Sequence, residues 1–316
     1  MPSWTPASDT TSAAAAAAGV DGGAALHLER LPQTRAWYVD VWVQMLRRKP
    51  LGTTGAIIVA IMLAGAVLAD VLTPYGFSET NLRERFIAMD GAHWLGTDQI
   101  GRDVLTRILY GARISLYVGF GAVTLGSLLA TLLGIASAYF GGRLDLFVQR
   151  GVDAWMAFPG LLLLMTILSL LGPGVWNITL VLGVAFGIQN SRIVRGVVLS
   201  IKENTWIEGA RAAGAGHLRV TIVHILPNAL PTIIVVATTG LSTVILTEAS
   251  LSFLGLGVPP PYPTWGGMLS LAGLDHMYRA PWLAIWPAVA LSLAVFGFNM
   301  LGDALRDLLD PRLKGG

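Results

Sequence analysis

Long uncharged stretches alternate with short charged ones along this chain, and their lengths set the first expectation. A helix needs roughly 20 mostly apolar residues to cross a bilayer. Residues 51–69 lie uncharged between Lys49 and Asp70, and 114–140 follow Arg113 without a formal charge. The uncharged stretch 154–191 is too long for one span. Gly172-Pro173-Gly174 interrupts it, which predicts one helix near 158–171 and another near 176–191. Residues 220–247 carry no formal charge but include His224, and this span is predicted to begin after Pro227. Residues 280–302 form the last. The pattern predicts an all-α membrane protein with six transmembrane helices. Residues 249–274 are also uncharged, but Pro259-Pro260-Pro261 and Pro263 forbid a helix through their middle. They are predicted to form a loop with some membrane contact.

Composition narrows the class. Of 316 residues, 54% are hydrophobic and 13% charged, and mean hydropathy is +0.64. Soluble domains carry about 25% charge, so an ordinary soluble enzyme is excluded. The absence of cysteine removes disulfide frameworks, thiolate catalysis and Cys-based zinc sites. A net charge of +2 provides no basic surface for nucleic acid. Orientation follows from the positive-inside rule. With Arg47, Arg48 and Lys49 inside, both termini are cytoplasmic, and the inner segments hold 15 Lys and Arg against 6 outside. Five of those six fall in the first external stretch, a local exception.

The segments between spans divide as follows. Residues 1–35, rich in Ala, Ser, Thr and Gly, are expected to be a disordered cytoplasmic tail. No basic region precedes the alanine run 13–18, so a cleaved signal peptide is not expected. Trp37, Tyr38, Val41, Trp42 and Met45 recur at helical spacing, which suits an interfacial helix over 36–50 or an extended start of the first transmembrane helix, 51–73. An external segment, 74–113, contains a predicted amphipathic helix over 97–113. There Asp98 with Arg102 and Asp103 with Arg107 are spaced i,i+4, each pair worth a few tenths of a kcal/mol. Residues 305–316 form a cytoplasmic tail.

Three features stand out in the remainder, 114–304. Ala122, Gly126, Ala130, Gly134 and Ala138 repeat every four residues, a small-residue stripe that lets another helix approach closely. The partner is a neighbouring span or another subunit. Glu248 is the one acid inside a span and is a pathway or gate candidate, with a structural or gating hydrogen bond the favoured role. On the inner side, 202–227 reads as two short helices: Thr205 and Glu208 form a capping box that starts the first, Gly214 and Gly216 end it, and the second follows from His217. Asp145, Arg150 and Asp153 are expected to form a solvated or locally paired inner elbow, and Asn190 and Arg192 to mark the interface. His27, His93, His217, His224 and His276 are scattered, so no metal site is expected.

Glu208-Gly209-Ala210-Arg211-Ala212-Ala213-Gly214, followed by His224-Ile225-Leu226-Pro227, resembles the EAA loop of ABC importer permeases. That motif reads E-A-A, three residues, G, nine residues, I-x-L-P. Gly209 stands where the motif has its first Ala, and His224 where it has Ile; the Leu226-Pro227 register is intact. His93-Trp94-Leu95-Gly96-Thr97-Asp98, Gly101-Arg102-Asp103, Tyr110-Gly111-Ala112-Arg113-Ile114-Ser115, Glu248-Ala249-Ser250-Leu251-Ser252-Phe253-Leu254-Gly255-Leu256-Gly257 and Asp310-Pro311-Arg312 extend the resemblance to the C-type subunit of dipeptide, oligopeptide and nickel permeases, over about residues 40–313.

The resemblance implies a type I ABC importer permease fold in a bacterial inner membrane, with 114–304 as its core domain. Glu208, Gly209, Ala210, Arg211, Ala213, Gly214, Leu226 and Pro227 would then belong to a coupling loop that docks on an ATPase subunit. It implies a homologous B-type permease, two ABC ATPase subunits binding ATP and Mg2+, an external solute-binding protein and a peptide substrate; a nickel chelate or other small solute is the alternative. Independently, none of the three lysines, Lys49, Lys202 and Lys314, is followed by Ser or Thr, so the chain has no G-x4-G-K-[ST] phosphate loop and no cofactor of its own is expected. A self-contained channel or secondary transporter would need ionisable residues at mid-span, and these are nearly absent. An intramembrane enzyme finds no H-E-x-x-H or G-x-S-x-G.

Overall fold

The computed structural model describes residues 50–270 and 276–309, and every described element is helical. The tail 1–35, the interfacial helix at 36–49 and Asp310-Pro311-Arg312 lie outside the described residues. The elements are α1 (Pro50–Val67), α2 (Ala69–Leu72), α3 (Val104–Phe140), α4 (Gly142–Met156), α5 (Gly160–Leu171), α6 (Val175–Lys202), α7 (Thr205–Ala212), α8 (His217–Arg219), α9 (Leu226–Phe253), α10 (Trp265–Leu269) and α11 (Trp282–Leu309).

Among the described residues, four helical stretches are individually long and apolar enough to cross a membrane: α1, α3, the continuous run His217–Phe253, and α11. Counting α4 and α5 as one broken span gives five, against the six expected. Two elements account for the difference between four and six. The 12 residues of α5 reach only about 18 Å at 1.5 Å per residue, short of the hydrocarbon core. The 28-residue α6 is long enough, but Asn177, Gln189, Asn190 and Arg192 dilute its apolar character.

Breaks in the backbone explain where helices stop. α4 and α5 meet at 90°. Pro159 disfavours the helical conformation for Phe158 and itself begins α5 as its cap. Between α5 and α6, Gly172 takes a left-handed φ of +83°, and the side-chain amide of Asn177 donates to the carbonyls of Leu171 and Gly172, both at 3.0 Å. That satisfies carbonyls left open at the end of α5.

Several boundaries differ from the sequence reading. The helix expected over 97–113 begins only at Val104 and then continues through Phe140 as one 37-residue element. Asp103 sets that start, its carboxylate accepting from the Thr106 amide at 2.8 Å and the Thr106 hydroxyl at 2.7 Å. Residues 97–103 form a turn closed by a bridge between Thr97 and Asp103. Asp98 and Arg102 do pair, at 2.6 Å, within that turn. Asp103 faces His93 Nδ1 at 3.0 Å, while Arg107 reaches the Phe77 carbonyl instead of Asp103. α11 runs to Leu309, so the predicted tail from 305 starts inside a helix. The loop predicted over 249–274 is observed at 254–264, and helices flank it. α9 extends to Phe253, and after the prolines α10 buries Trp265, Gly266 and Met268. The Trp265 indole donates to the Ile108 carbonyl at 3.2 Å, and a Cβ on Gly266 would lie 2.2 Å from the Ala249 oxygen.

Packing gives the bundle two ends. The start of α1 lies on the end of α11, where a Cβ on Gly52 would sit 2.2 Å from that of Ala304. Lys202, at the end of α6, donates to the carbonyls of Ala138 and Tyr139, at the end of α3. The 70–103 cap and the 254–264 loop occupy one end; α4, α7, the start of α1 and the end of α11 occupy the other. In the cap, Asp70 pairs with Arg113 at 2.9 Å and bonds the Tyr110 hydroxyl, which hold its carboxyl below the usual carboxylate range.

Candidate functional site

The segment 203–225 forms a compact projection. α7 starts at Thr205, as its sequence suggests, but by a different cap. Asn204 is the N-cap, with an extended backbone, and no side chain caps the helix. Thr205 lies one position inside, so the predicted capping box with Glu208 does not form. The Asn204 amide instead donates backwards, to Ser200 and Ile201 carbonyls at 3.1 and 3.0 Å.

The far end of α7 follows the glycine rule. Gly214 takes φ +85°, its amide bonds the Arg211 carbonyl at 2.9 Å, and the Ala215 amide bonds the Ala210 carbonyl at 3.0 Å. This pair of bonds is a Schellman termination, which glycine accepts without a Cβ clash. Gly216 has φ −67° and is the N-cap of α8, so it opens the next helix rather than closing the last. α8, a π turn over Val220–Ile225 and α9 then run on continuously, earlier than the predicted start after Pro227. Pro227 has no amide to give the Val223 carbonyl, and the widened turn just before it bonds the Leu226 amide to Thr221.

Glu208, Gly209, Arg211, Ala212, Ala213 and Gly214 are exposed, with Ala210 half-buried, and a Cβ on Gly209 would meet nothing within 4 Å. Beneath this small-residue surface the projection is anchored. Ile207 is fully buried in a cluster with Ala130, Ala138, Tyr139, Val194, Val198, Val220 and Ile225. The Tyr139 hydroxyl lies 2.9 Å from His217 Nδ1, and the Arg211 guanidinium sits 5.2 Å above the Tyr139 ring. Leu226 is half-buried and Pro227 exposed at the entrance to α9. Every predicted residue of the loop thus falls on one face-and-hinge unit seated on the ends of α3 and α6.

The stripe continues from this anchor, sharing Ala130 and Ala138 with it, and all five of its residues are buried. Its partner is α6 of the same chain. A Cβ on Gly126 would stand 2.6 Å from the Gly183 oxygen, and one on Gly134 would stand 2.7 Å from Val194 Cβ. Gly183 and Gly187 reciprocate: a Cβ on them would stand 3.1 and 2.9 Å from the carbonyl oxygens of Ala122 and Gly126. Those two residues escaped the sequence reading, although their i,i+4 spacing on α6 is the same signal.

The predicted elbow is built by α4. Asp145 accepts from Arg195 through both oxygens, at 2.6 and 2.7 Å, and Asp153 pairs with Arg192. Arg192 therefore clamps α6 to α4 rather than only marking an interface, and Arg150 adds a looser contact to Asp153 at 3.7 Å.

Glu248 stands apart from the α7 projection, near the far end of α9. It is fully buried; Ser252 and Ser115 donate to its two oxygens at 2.6 and 3.1 Å, and Thr264 bonds the same carboxyl. It joins α9, α3 and the segment leading into α10. Among the described residues no group of three or more His, Asp or Glu is placed to hold a metal ion.

Comparison with known proteins adds lineage. Residues 108–315 match the family model for binding-protein-dependent transport system inner membrane components, and 37–88 match that for the N-terminal TM domain of oligopeptide transport permease C. The dipeptide transport system permease protein DppC of Alkalihalophilus pseudofirmus is 41% identical over 286 residues, 90% of this chain and 94% of that protein. The glutathione transport system permease protein GsiD of Escherichia coli is 39% identical over 295 residues, covering 92% and 96%. The solved inward-facing MetNI methionine ABC transporter matches with a TM-score of 0.52 at 20% identity, covering 66% of this chain and 96% of that one, a likeness of fold.

Proposed function

The chain belongs to the family of binding-protein-dependent transport system inner membrane components, and from that premise we propose that it is the C-type permease subunit of an ATP-driven importer of di- and oligopeptides in a bacterial inner membrane. It crosses the membrane six times, with α4–α5 as one bent pass and α6 as another, and both termini on the cytoplasmic side. It pairs with a homologous B-type permease, two ATPase subunits that bind ATP and Mg2+, and an external solute-binding protein. Relatives named for dipeptide and glutathione transport favour a short peptide as cargo.

The observation that carries this reading is the α7 projection: small and exposed outside, packed through Ile207 inside. α7 docks in a cleft of an ATPase subunit. When the ATPase pair closes, the push passes from Ile207 and the Arg211–Tyr139–His217 contacts into the ends of α3 and α6. Those two helices interlock along the Ala122-to-Ala138 stripe, so they move together as one wall of the pathway. Because packed interfaces switch between discrete arrangements rather than deform smoothly, a small push at α7 becomes a change of access.

Glu208 tests it. The side chain is exposed, so Glu208→Arg leaves the fold intact while placing bulk and opposite charge on the docking face. ATP-dependent peptide uptake falls at least tenfold, with the complex still assembled, on this reading (about 1.4 kcal/mol per tenfold). Unchanged uptake and unchanged coupling of ATP hydrolysis to peptide would defeat it.

A further inference from the structure

The opposite end of the bundle holds a feature that coupling does not use. A cavity of about 530 Å³ lies between the 98–102 turn, the proline-rich loop around 257–264 and the ends of α9 and α11. That size is in the range of small-molecule sites, about 300–1,000 Å³.

The charges around it do not balance. Arg102 and Arg107 both line it, with side chains 12% and 10% exposed. Asp98 is the one carboxylate paired with either of them among the described residues. Its Oδ2 takes Arg102 Nε at 2.6 Å, and its Oδ1 is occupied by the amides of Ile100 and Arg102 at 3.0 and 2.9 Å. Arg107 Nε stands 3.8 Å from Oδ2, beyond hydrogen-bond range. Its terminal nitrogen falls back on the carbonyls of Phe77 and Pro261 at 3.2 and 3.5 Å. Among the lining residues, two guanidinium groups face one carboxylate, an excess of positive charge in a place largely shielded from water. An uncompensated buried charge is costly, and a diffusible anion relieves it.

The rest of the cavity is of mixed character. Val258 and Met268 give it apolar wall, and the Gln99 side-chain oxygen, buried in the same wall, has no hydrogen-bond partner. Its floor includes Ser252 and Thr264, both bonded to Glu248. A carboxylate meeting a guanidinium is the pairing with the best geometric match available to an anion here, because the planar fork bonds both oxygens.

We propose that this cavity binds the carboxylate end of a short peptide or other small organic acid, held by Arg102 with Arg107 supplying the second positive charge, and with the apolar wall taking the adjoining side chain. The choice of a peptide rests on the import reading above, whose orientation places the cavity outside. The preference for an anion rests on the charge imbalance, and the preference for a carboxylate on its planar fit to a guanidinium.

The test uses the assembled transporter in nanodiscs without its binding protein, and isothermal titration with three probes: dialanine, dialanine amide and acetate. Dialanine is expected to bind, with the amide weaker by about tenfold, the loss of one charge-assisted contact. Arg102→Gln is expected to bind both peptides equally and weakly. Because Arg102 also braces the 98–102 turn, Val258→Trp supplies an independent variant that fills the cavity and abolishes dialanine binding. Acetate binding as tightly as dialanine would support the site and identify free acids as its ligands. Equal binding of dialanine and its amide, binding of neither at millimolar concentration, or binding unaffected by both substitutions would overturn the proposal. ATP-driven uptake of dialanine with the binding protein restored separates the two claims. Uptake without cavity binding removes this site alone, whereas absent uptake removes the peptide-import reading.

Discussion

Gly126→Ala puts the α3–α6 interlock to a measurable test. The added methyl carbon would stand 2.6 Å from the Gly183 oxygen, 2.7 Å from a Phe186 ring carbon and 3.1 Å from the Gly187 amide nitrogen. Two of those three are backbone atoms, so no rotamer change clears the space. Ordinary contact requires the helices to separate by roughly 0.8 Å locally, and a gap of that size forfeits about a quarter to a half of the dispersion energy across the seam. Overpacking of this kind costs about 1–3 kcal/mol. Gly151→Ala on α4 is the control, because a Cβ there meets nothing within 4 Å. Relief of the glycine penalty in a helix should make that variant neutral or more stable by about 0.5–1 kcal/mol. Reversible unfolding of the chain in mixed micelles, followed by circular dichroism, gives both numbers. Equal effects of the two substitutions would refute the claim that α3 and α6 touch through their backbones.

Three further outcomes are expected. Ile207→Ala should destabilise the anchor by about 2–5 kcal/mol and lower peptide-stimulated ATPase activity more than basal activity, read in proteoliposomes. Glu248→Leu removes the acceptor shared by Ser115, Ser252 and Thr264 and should cost about 1–3 kcal/mol, whereas Glu248→Gln, which keeps an acceptor oxygen, should cost less; thermal unfolding in detergent compares them. A double-mutant cycle on Asp145 and Arg195 should give a coupling of about 1 kcal/mol, reduced by salt because both side chains are partly exposed.

The parts of this architecture legible in the sequence are those set by local chemistry. Gly172-Pro173-Gly174 breaks a helix wherever it occurs, and Gly214 ends α7 because its backbone conformation suits glycine alone. The stripe from Ala122 to Ala138 declares a close approach through its spacing. What it does not declare is the partner, since periodicity on one helix carries no information about which other helix it meets. The cap of α7 falls one residue before the predicted Thr205 for a related reason. Asn204 and Thr205 are adjacent and both belong to the residue types that cap helices, and the backbone chose the first. Pro159 marks the break between α4 and α5, but the pairing of Asp145 with Arg195 that holds α4 to α6 is a tertiary contact. Burial of Trp265 is likewise a tertiary outcome; the prolines before it mark only the break. Charge imbalance at Arg102 and Arg107 was hidden because i,i+4 spacing pairs each with its own acid, and the turn at 97–103 takes Asp103 away to His93.

The central claim is that α7 touches a nucleotide-hydrolysing partner. The chain contains no cysteine, so Ala212→Cys supplies a single thiol on the exposed face of α7 without background. Disulfide cross-linking of that thiol to single cysteines in the cleft of the ATPase subunit, in the assembled complex, measures the contact directly. The account expects a cross-link whose yield changes when ATP is added. A thiol that never joins the ATPase subunit, yet reacts with a membrane-impermeant maleimide from outside intact cells, would contradict it.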